Sequence, residues 1–263
     1  RAEMALRCGA DLVLEMPVSI STASAEAFAM GGVSLLDGLG VVDMLCFGSE
    51  SGEISALKEL AEILVEEPEE YKKLLKSFLS EGLTFPAARS QALTEYFKNP
   101  RNFNGDDFDG VLTPLLNEVT QILNTPNNIL GIEYCKALLR LNSRIIPHTL
   151  LRKGSGYHDT DFSLLSDEKF PSASGIRNLM KKSEKAGQSA DFSRLIPSAS
   201  ISGFLDSLEK GAWLSDSALD LPLHYKLLLE SEETLQMYPD LSDALIRRIL
   251  KSRNQYEGFS QFA

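Results

Sequence analysis

Val41-Val42-Asp43-Met44-Leu45-Cys46-Phe47-Gly48-Ser49-Glu50 sets an apolar run of strand length directly against glycine, serine and glutamate. The run at 41–47 is short and rich in residues that suit a buried strand. Ahead of it, residues 23–36 place Ala, Phe, Met, Val and Leu at helical spacing, closed by Gly38 and Gly40. Beyond it, 53–64 is amphipathic at helical period. Further upstream, 1–8 reads as a helix, Gly9 as its C-cap and 11–15 as another strand. Strand, helix, strand, helix, with buried strands, predicts an α/β fold: a parallel sheet covered by helices.

Downstream, 68–98 reads as helical, with Pro68 in a first turn and 85–97 amphipathic. Residues 99–110, rich in Asn, Asp and Gly, form a loop, followed by a helix at 115–123 and a second opening at Thr125-Pro126. Residues 144–151 suit a strand, 153–156 a flexible loop and 172–182 a helix. From about 187 the pattern is helical, at 201–208, 223–229 and 241–253, divided by Pro197, Pro222 and Pro239. The expected organisation is an α/β domain over 1–186 and an α-helical region over 187–263.

The 263 residues are 43% hydrophobic and 24% charged, as in an ordinary soluble globular protein. No apolar run approaches the roughly 20 residues that span a bilayer. Cys8, Cys46 and Cys135 lack CxxC spacing and read as buried thiols of a cytoplasmic protein. The net charge of −11 argues against broad nucleic-acid binding by this chain. Charge is uneven, though: 1–143 holds 11 basic and 21 acidic residues, whereas 144–185 holds 8 and 5. A basic island in an acidic chain suits a confined polyanionic ligand.

Three stretches carry the chemistry. Gly48 follows a strand directly, where doubly wound sheets bind ligands, and Ser49 and Glu50 lead on from it; a turn that simply needs glycine is the alternative. Thr125 suits an N-cap and Pro126 the first helical position, which puts Asn127 and Asn128 in the first turn. Their amides would donate and accept around a purine or ribose, or merely cap loop backbone. Ser172, Ser174 and Arg177 surround a third helix start, either a phosphate cradle or an ordinary serine cap before a solvated basic face. Arg152 ends the 144–151 strand, and His158 lies in a polar loop beside Asp159. His148 and His224 read as structural. No metal cluster, HExxH, Walker loop or nucleophilic triad is legible.

In this order the motifs resemble the bacterial tRNA(Met) cytidine acetate ligase family, within the HIGH-type nucleotidyltransferases. The likeness rests on Met4-Ala5-Leu6 through Asp11-Leu12-Val13-Leu14-Glu15-Met16-Pro17, on Phe47-Gly48-Ser49-Glu50, and on Pro126-Asn127-Asn128-Ile129-Leu130-Gly131. Arg152 with Tyr157-His158-Asp159, and Ser172-Ala173-Ser174-Gly175-Ile176-Arg177, complete it. The resemblance covers about residues 1–180. It implies a Rossmann-like parallel sheet of the nucleotidyltransferase type, incomplete at its start.

The implied reaction joins ATP and acetate into acetyl-adenylate, then acetylates N4 of the wobble cytidine of elongator tRNA(Met). Gly48, Asn127 and Arg152 would then contact ATP, probed further by Ser49, Glu50, Asn128, His158, Ser172, Ser174 and Arg177. Ser174 stands where the superfamily usually has threonine. Magnesium would accompany ATP, without protein metal ligands. Lys181, Lys182, Lys185, Arg247, Arg248 and Lys251 are the candidates for tRNA. The family's HxGH-like segment would precede Arg1, so the catalytic residues are expected upstream. A cofactor adenylyltransferase and a non-catalytic nucleotide-binding module are the alternatives.

Overall fold

The computed structural model describes residues 1–99, 119, 121–153, 171–186, 191–212, 216–238 and 241–262. The chain divides into two compact units, Leu14–Gly154 and Arg1–Val13 together with Ser155–Ala263. The composition boundary near 186 therefore falls inside the second unit.

The first unit contains α2 (Val18–Ser21), α3 (Ala25–Gly38), β1 (Met44–Ser49), α4 (Ile54–Glu66), α5 (Glu69–Ser80), α6 (Phe85–Lys98), α7 (Pro126–Arg140) and β2 (Ile146–Leu151). Ser24 caps α3 by accepting from the Ala27 N–H, and Gly40, at φ +68°, turns the chain out of it. β1 and β2 pair in parallel, with Met44 opposite Ile146 and Ser49 opposite Leu151. The Arg152 N–H adds a further bond to the Ser49 carbonyl at 2.9 Å, holding the two strand ends together.

α7 is the organising helix. It packs on α3 and α4 and lies against β1. Leu57, Leu60, Ala61 and Leu64 of α4 meet Tyr71, Leu93, Phe97 and Ile132 in one core cluster, with Phe47 of β1 against it. Val33, Ala137, Leu138 and Ile145 form a second, with Leu45 and Tyr134 alongside. Gly131 sets the distance between helix and strand: a Cβ there would stand 2.7 Å from Phe47 Cε2 and 3.0 Å from Leu57 Cδ1. No side chain fits without movement.

Three expectations are corrected by the fold. Residues 11–15 are not a strand but irregular, with Leu12, Val13 and Leu14 exposed, because no neighbouring strand among the described residues supplies a ladder. The strands are also covered on one face rather than buried on both. Leu45, Phe47 and Ser49 alternate inward while Met44, Cys46 and Gly48 are exposed. Cys46, on the uncovered face, is an exposed thiol; Cys8, after α1, is exposed too, and of the three cysteines Cys135 alone is buried. Burial pushes the Cys135 thiol up to about 12.

The second unit is helical: α1 (Ala2–Arg7), α8 (Ala173–Ala186), α9 (Ser198–Glu209), α10 (Asp220–Leu229), α11 (Glu232–Gln236), α12 (Asp243–Ser252) and α13 (Phe259–Phe262). Gly9, at φ +105°, follows α1 as the sequence requires. Arg7 of α1 donates to Ser202 of α9 at 3.0 Å. His224 stacks on Tyr256 with ring centroids 4.8 Å apart, the structural role expected of it. Among the described residues no helix is long and apolar enough to cross a membrane. The loop at 100–110, most of the 115–123 helix, the glycine-rich loop and His158 lie outside the described residues.

Candidate functional site

The carboxyl ends of β1 and β2 bring Gly48, Ser49, Glu50 and Arg152 beside the start of α7, with Asn127 and Asn128. The contacts are reciprocal. The Asn128 Oδ1 accepts from the Glu50 N–H at 2.9 Å and the Ser51 N–H at 3.1 Å. In return, Glu50 Oε2 accepts from the Asn128 N–H at 3.0 Å and Oε1 from Asn127 Nδ2 at 2.6 Å. A carboxylate thus occupies the N–H end of α7, where the helix dipole favours negative charge. Arg152 Nη1 reaches Asn127 Oδ1 at 3.5 Å, a long contact.

These distances separate the readings left open by the sequence. Gly48 does not have the left-handed backbone found at Gly9, Gly40, Gly52, Gly82 and Gly211, so no turn demands glycine there. The approach is close but not forbidding: a Cβ would lie 3.2 Å from Cγ of the exposed Arg152 side chain, which would have to give by a few tenths of an ångström. The asparagine pair divides its work. Asn128 is 2% exposed, and its Nδ2 also donates to Thr125 Oγ1 at 2.6 Å, so it is a buried brace. Asn127 is half-buried, and Gly48 and Arg152 are exposed.

Ser49 likewise belongs to the frame. It is fully buried, accepts from the Gly52 N–H at 2.9 Å and receives the Thr149 hydroxyl at 2.7 Å. The side chains of Ser49 and Asn128, both expected as nucleotide contacts, are therefore engaged within the protein.

α7 is fixed from behind by charge. Glu133, 3% exposed, accepts from Arg89 of α6 at 3.0 Å and from Lys136 at 2.6 Å. Lys136 and Arg140 both reach Glu26 of α3. The Arg140 guanidinium, followed by Lys136, holds the Glu26 carboxyl below its usual range against the opposing effect of burial. Sequence reasoning missed this network and Thr149. Lys136 falls among apolar neighbours in 132–138, a position whose burial would require a partner. Gly131, inside a helical pattern, was a legible sign of close packing.

The third stretch has its own geometry in the other unit. Ser172 is buried, and its Oγ accepts from the Gly175 N–H at 3.0 Å, an ordinary helix cap. Ser174 Oγ accepts from Arg177 Nη2 at 3.1 Å, and the Arg177 guanidinium is otherwise exposed. Lys182, Arg247, Arg248 and Lys251 are exposed, and Lys181 is half-buried. Lys185 lies in α8.

A parallel pair of strands with a glycine at one carboxyl end, an arginine at the other and an amide-bearing helix start beside them is an α/β arrangement of the class that binds ligands beyond its strand ends. A family model described as HIGH Nucleotidyl Transferase matches residues 1–263, and the chain belongs to that family. It is 39% identical over 259 residues to a tRNA(Met) cytidine acetate ligase of Clostridium novyi, covering 97% of this chain and 59% of the relative. A ligase of the same name from Alkaliphilus metalliredigens is 36% identical, covering 100% of this chain and again 59% of the relative. Thermotoga maritima TmcAL in its apo form superposes with a TM-score of 0.82 at 34% identity, over 100% of this chain and 57% of that one. The form of that protein bound with alpha-thio ATP gives 0.81 at 32%, covering 100% and 56%. The chain thus spans less than two thirds of the length of these relatives.

Proposed function

We propose that this chain is the nucleotide-holding part of an ATP-dependent tRNA(Met) cytidine acetate ligase. The full-length protein activates acetate with ATP, releasing pyrophosphate, and passes the acetyl group to N4 of the wobble cytidine in elongator tRNA(Met). The observation that carries this reading is the meeting of Gly48, Asn127 and Arg152 at paired strand ends, in a chain similar throughout to ligases of that name. The likeness to TmcAL bound with alpha-thio ATP supports ATP as the nucleotide.

Each residue has a role by its chemistry. Gly48 lets the nucleotide lie against backbone. Arg152 supplies charge-assisted bonds to its anionic part, and Arg177, whose guanidinium Ser174 holds, is a candidate phosphate contact of its own unit. Magnesium arrives with the triphosphate: both Glu50 oxygens already accept bonds from α7, so that carboxylate serves the frame. Exposed Lys182, Arg247, Arg248 and Lys251, together with Lys181 and Lys185, are assigned to tRNA as a positive field on the phosphate backbone.

The test is pyrophosphate exchange into ATP by the full-length protein, followed by transfer of labelled acetate to tRNA(Met). Acetate-dependent exchange and labelled cytidine are expected. Exchange that ignores acetate, with AMP passed to a phosphorylated small acceptor, would make the protein a cofactor adenylyltransferase. ATP affinity without exchange would make it a non-catalytic module.

A further inference from the structure

Glu50 lies at the proposed ATP site with each carboxylate oxygen already accepting a bond from the start of α7. We propose that it is a positioning residue: it orients the Asn127 carboxamide so that the amide oxygen faces the nucleoside as an acceptor. The inference rests on the ATP reading above and adds what this end of the site recognises.

The orientation follows from the inventory of donors and acceptors. An ionised carboxylate only accepts, so the Asn127 atom 2.6 Å from Glu50 Oε1 is the NH2 group. The Oδ1 atom then points away from Glu50. Its contact with Arg152 at 3.5 Å leaves a lone pair open. Asn128 cannot take this role, since both ends of its amide are bonded within the protein. Glu50 is in turn held by what it holds, because its N–H donates to Asn128 Oδ1 and its Oε2 accepts from the Asn128 N–H. The clasp thereby fixes the strand end and the helix start as one piece.

The same carboxylate determines which part of the nucleotide can lie here. It neutralises the N–H end of α7 and repels a phosphate placed against it. The anionic part of ATP is drawn towards Arg152 and away from Glu50, so the neutral part, base or ribose, is what the Asn127 amide faces. An acceptor there selects a donor: a ribose hydroxyl or the 6-amino group of adenine.

The test uses full-length protein in acetate-dependent pyrophosphate exchange, with ATP, 2′-deoxy-ATP, 3′-deoxy-ATP and purine riboside triphosphate, which lacks the 6-amino group. Wild-type protein should lose about tenfold in kcat/KM with one of the three analogues, and which one identifies the donor. Glu50→Gln keeps the shape of the side chain but lets it donate, which allows the Asn127 amide to turn over. Its ATP KM should rise about tenfold with kcat nearly unchanged, and the analogue penalty should vanish.

Because Glu50 acts through Asn127, Glu50→Gln should add nothing in an Asn127→Ala background. Additive effects, an unchanged penalty in Glu50→Gln, or equal use of all four nucleotides by wild type would each overturn the proposal while leaving ATP use intact. Wild-type protein that ignores ATP altogether would instead remove the functional reading beneath it. Should Glu50→Gln not fold, Glu50→Asp, which draws the carboxylate back from Asn127 by one methylene, carries the test: loss of the analogue penalty supports the assignment and its persistence refutes it.

Discussion

At the start of α7 the polar side chains bond to a different part of the chain, with Glu50 and Asn128 trading bonds between strand end and helix. At the start of α8 they bond to their own first turn, Ser172 to Gly175 and Arg177 to Ser174. Both starts carry the same kinds of residue in sequence, yet one is a junction and the other a cap. A junction fixes distant backbone, so its loss should propagate. A cap satisfies local N–H groups, so its loss should stay local.

The arginines test each of the two starts for the nucleotide in turn. Arg152→Ala and Arg177→Ala in full-length protein should each raise the ATP KM roughly ten- to hundredfold, from the loss of about 1.5–3 kcal/mol of charge-assisted bonding. Both side chains are exposed, so melting temperature should hold. Normal ATP use in both variants would dismiss both starts as ligand contacts, and a defect in one would assign the nucleotide to that start.

Stability measurements probe the contrast itself. Asn128→Ala strips the acceptor from two backbone N–H groups and should cost about 2–3 kcal/mol in urea unfolding. Gly131→Ala forces α7 off Phe47 and should cost about 2 kcal/mol while weakening ATP affinity. Ser172→Ala should cost only about 1 kcal/mol, as helix caps do. Equal losses from Asn128→Ala and Ser172→Ala would erase the distinction.

The smallest effect concerns pH. Glu26 has a lowered pKa, so its contribution is present above the unfolded carboxylate pKa and fades as pH falls through the folded value. Glu26→Gln should therefore slightly flatten the acid limb of a stability–pH curve. An unchanged limb would mean that the exposed Glu26–Arg140 pair does nothing to anchor α7.

Period and punctuation made much of this legible. Gly40 closed α3, Pro126 opened α7, and the apolar runs before Gly48 and Arg152 became paired parallel strands. Residues 11–15 misled because apolar alternation states a preference, whereas a strand exists only with a partner. Within the site, residue type located the cluster but not the division of labour. Ser49 and Asn127 look equally available in sequence. Burial separates them, and burial depends on Thr149 and Gly52, which motif reading had no reason to join. The Arg89–Glu133–Lys136 network escaped for a related reason: charges on a helix read as solvated until a neighbour covers them.

That network has a mechanical consequence. A helix held by aliphatic contacts alone can roll about its axis, trading one greasy neighbour for another. Rolling α7 by a single residue, about 100°, would drive Glu133 and Lys136 into hydrocarbon. The buried ion pair therefore works as a key in a shaft, and the direction in which Asn127 points is set roughly two turns away from it.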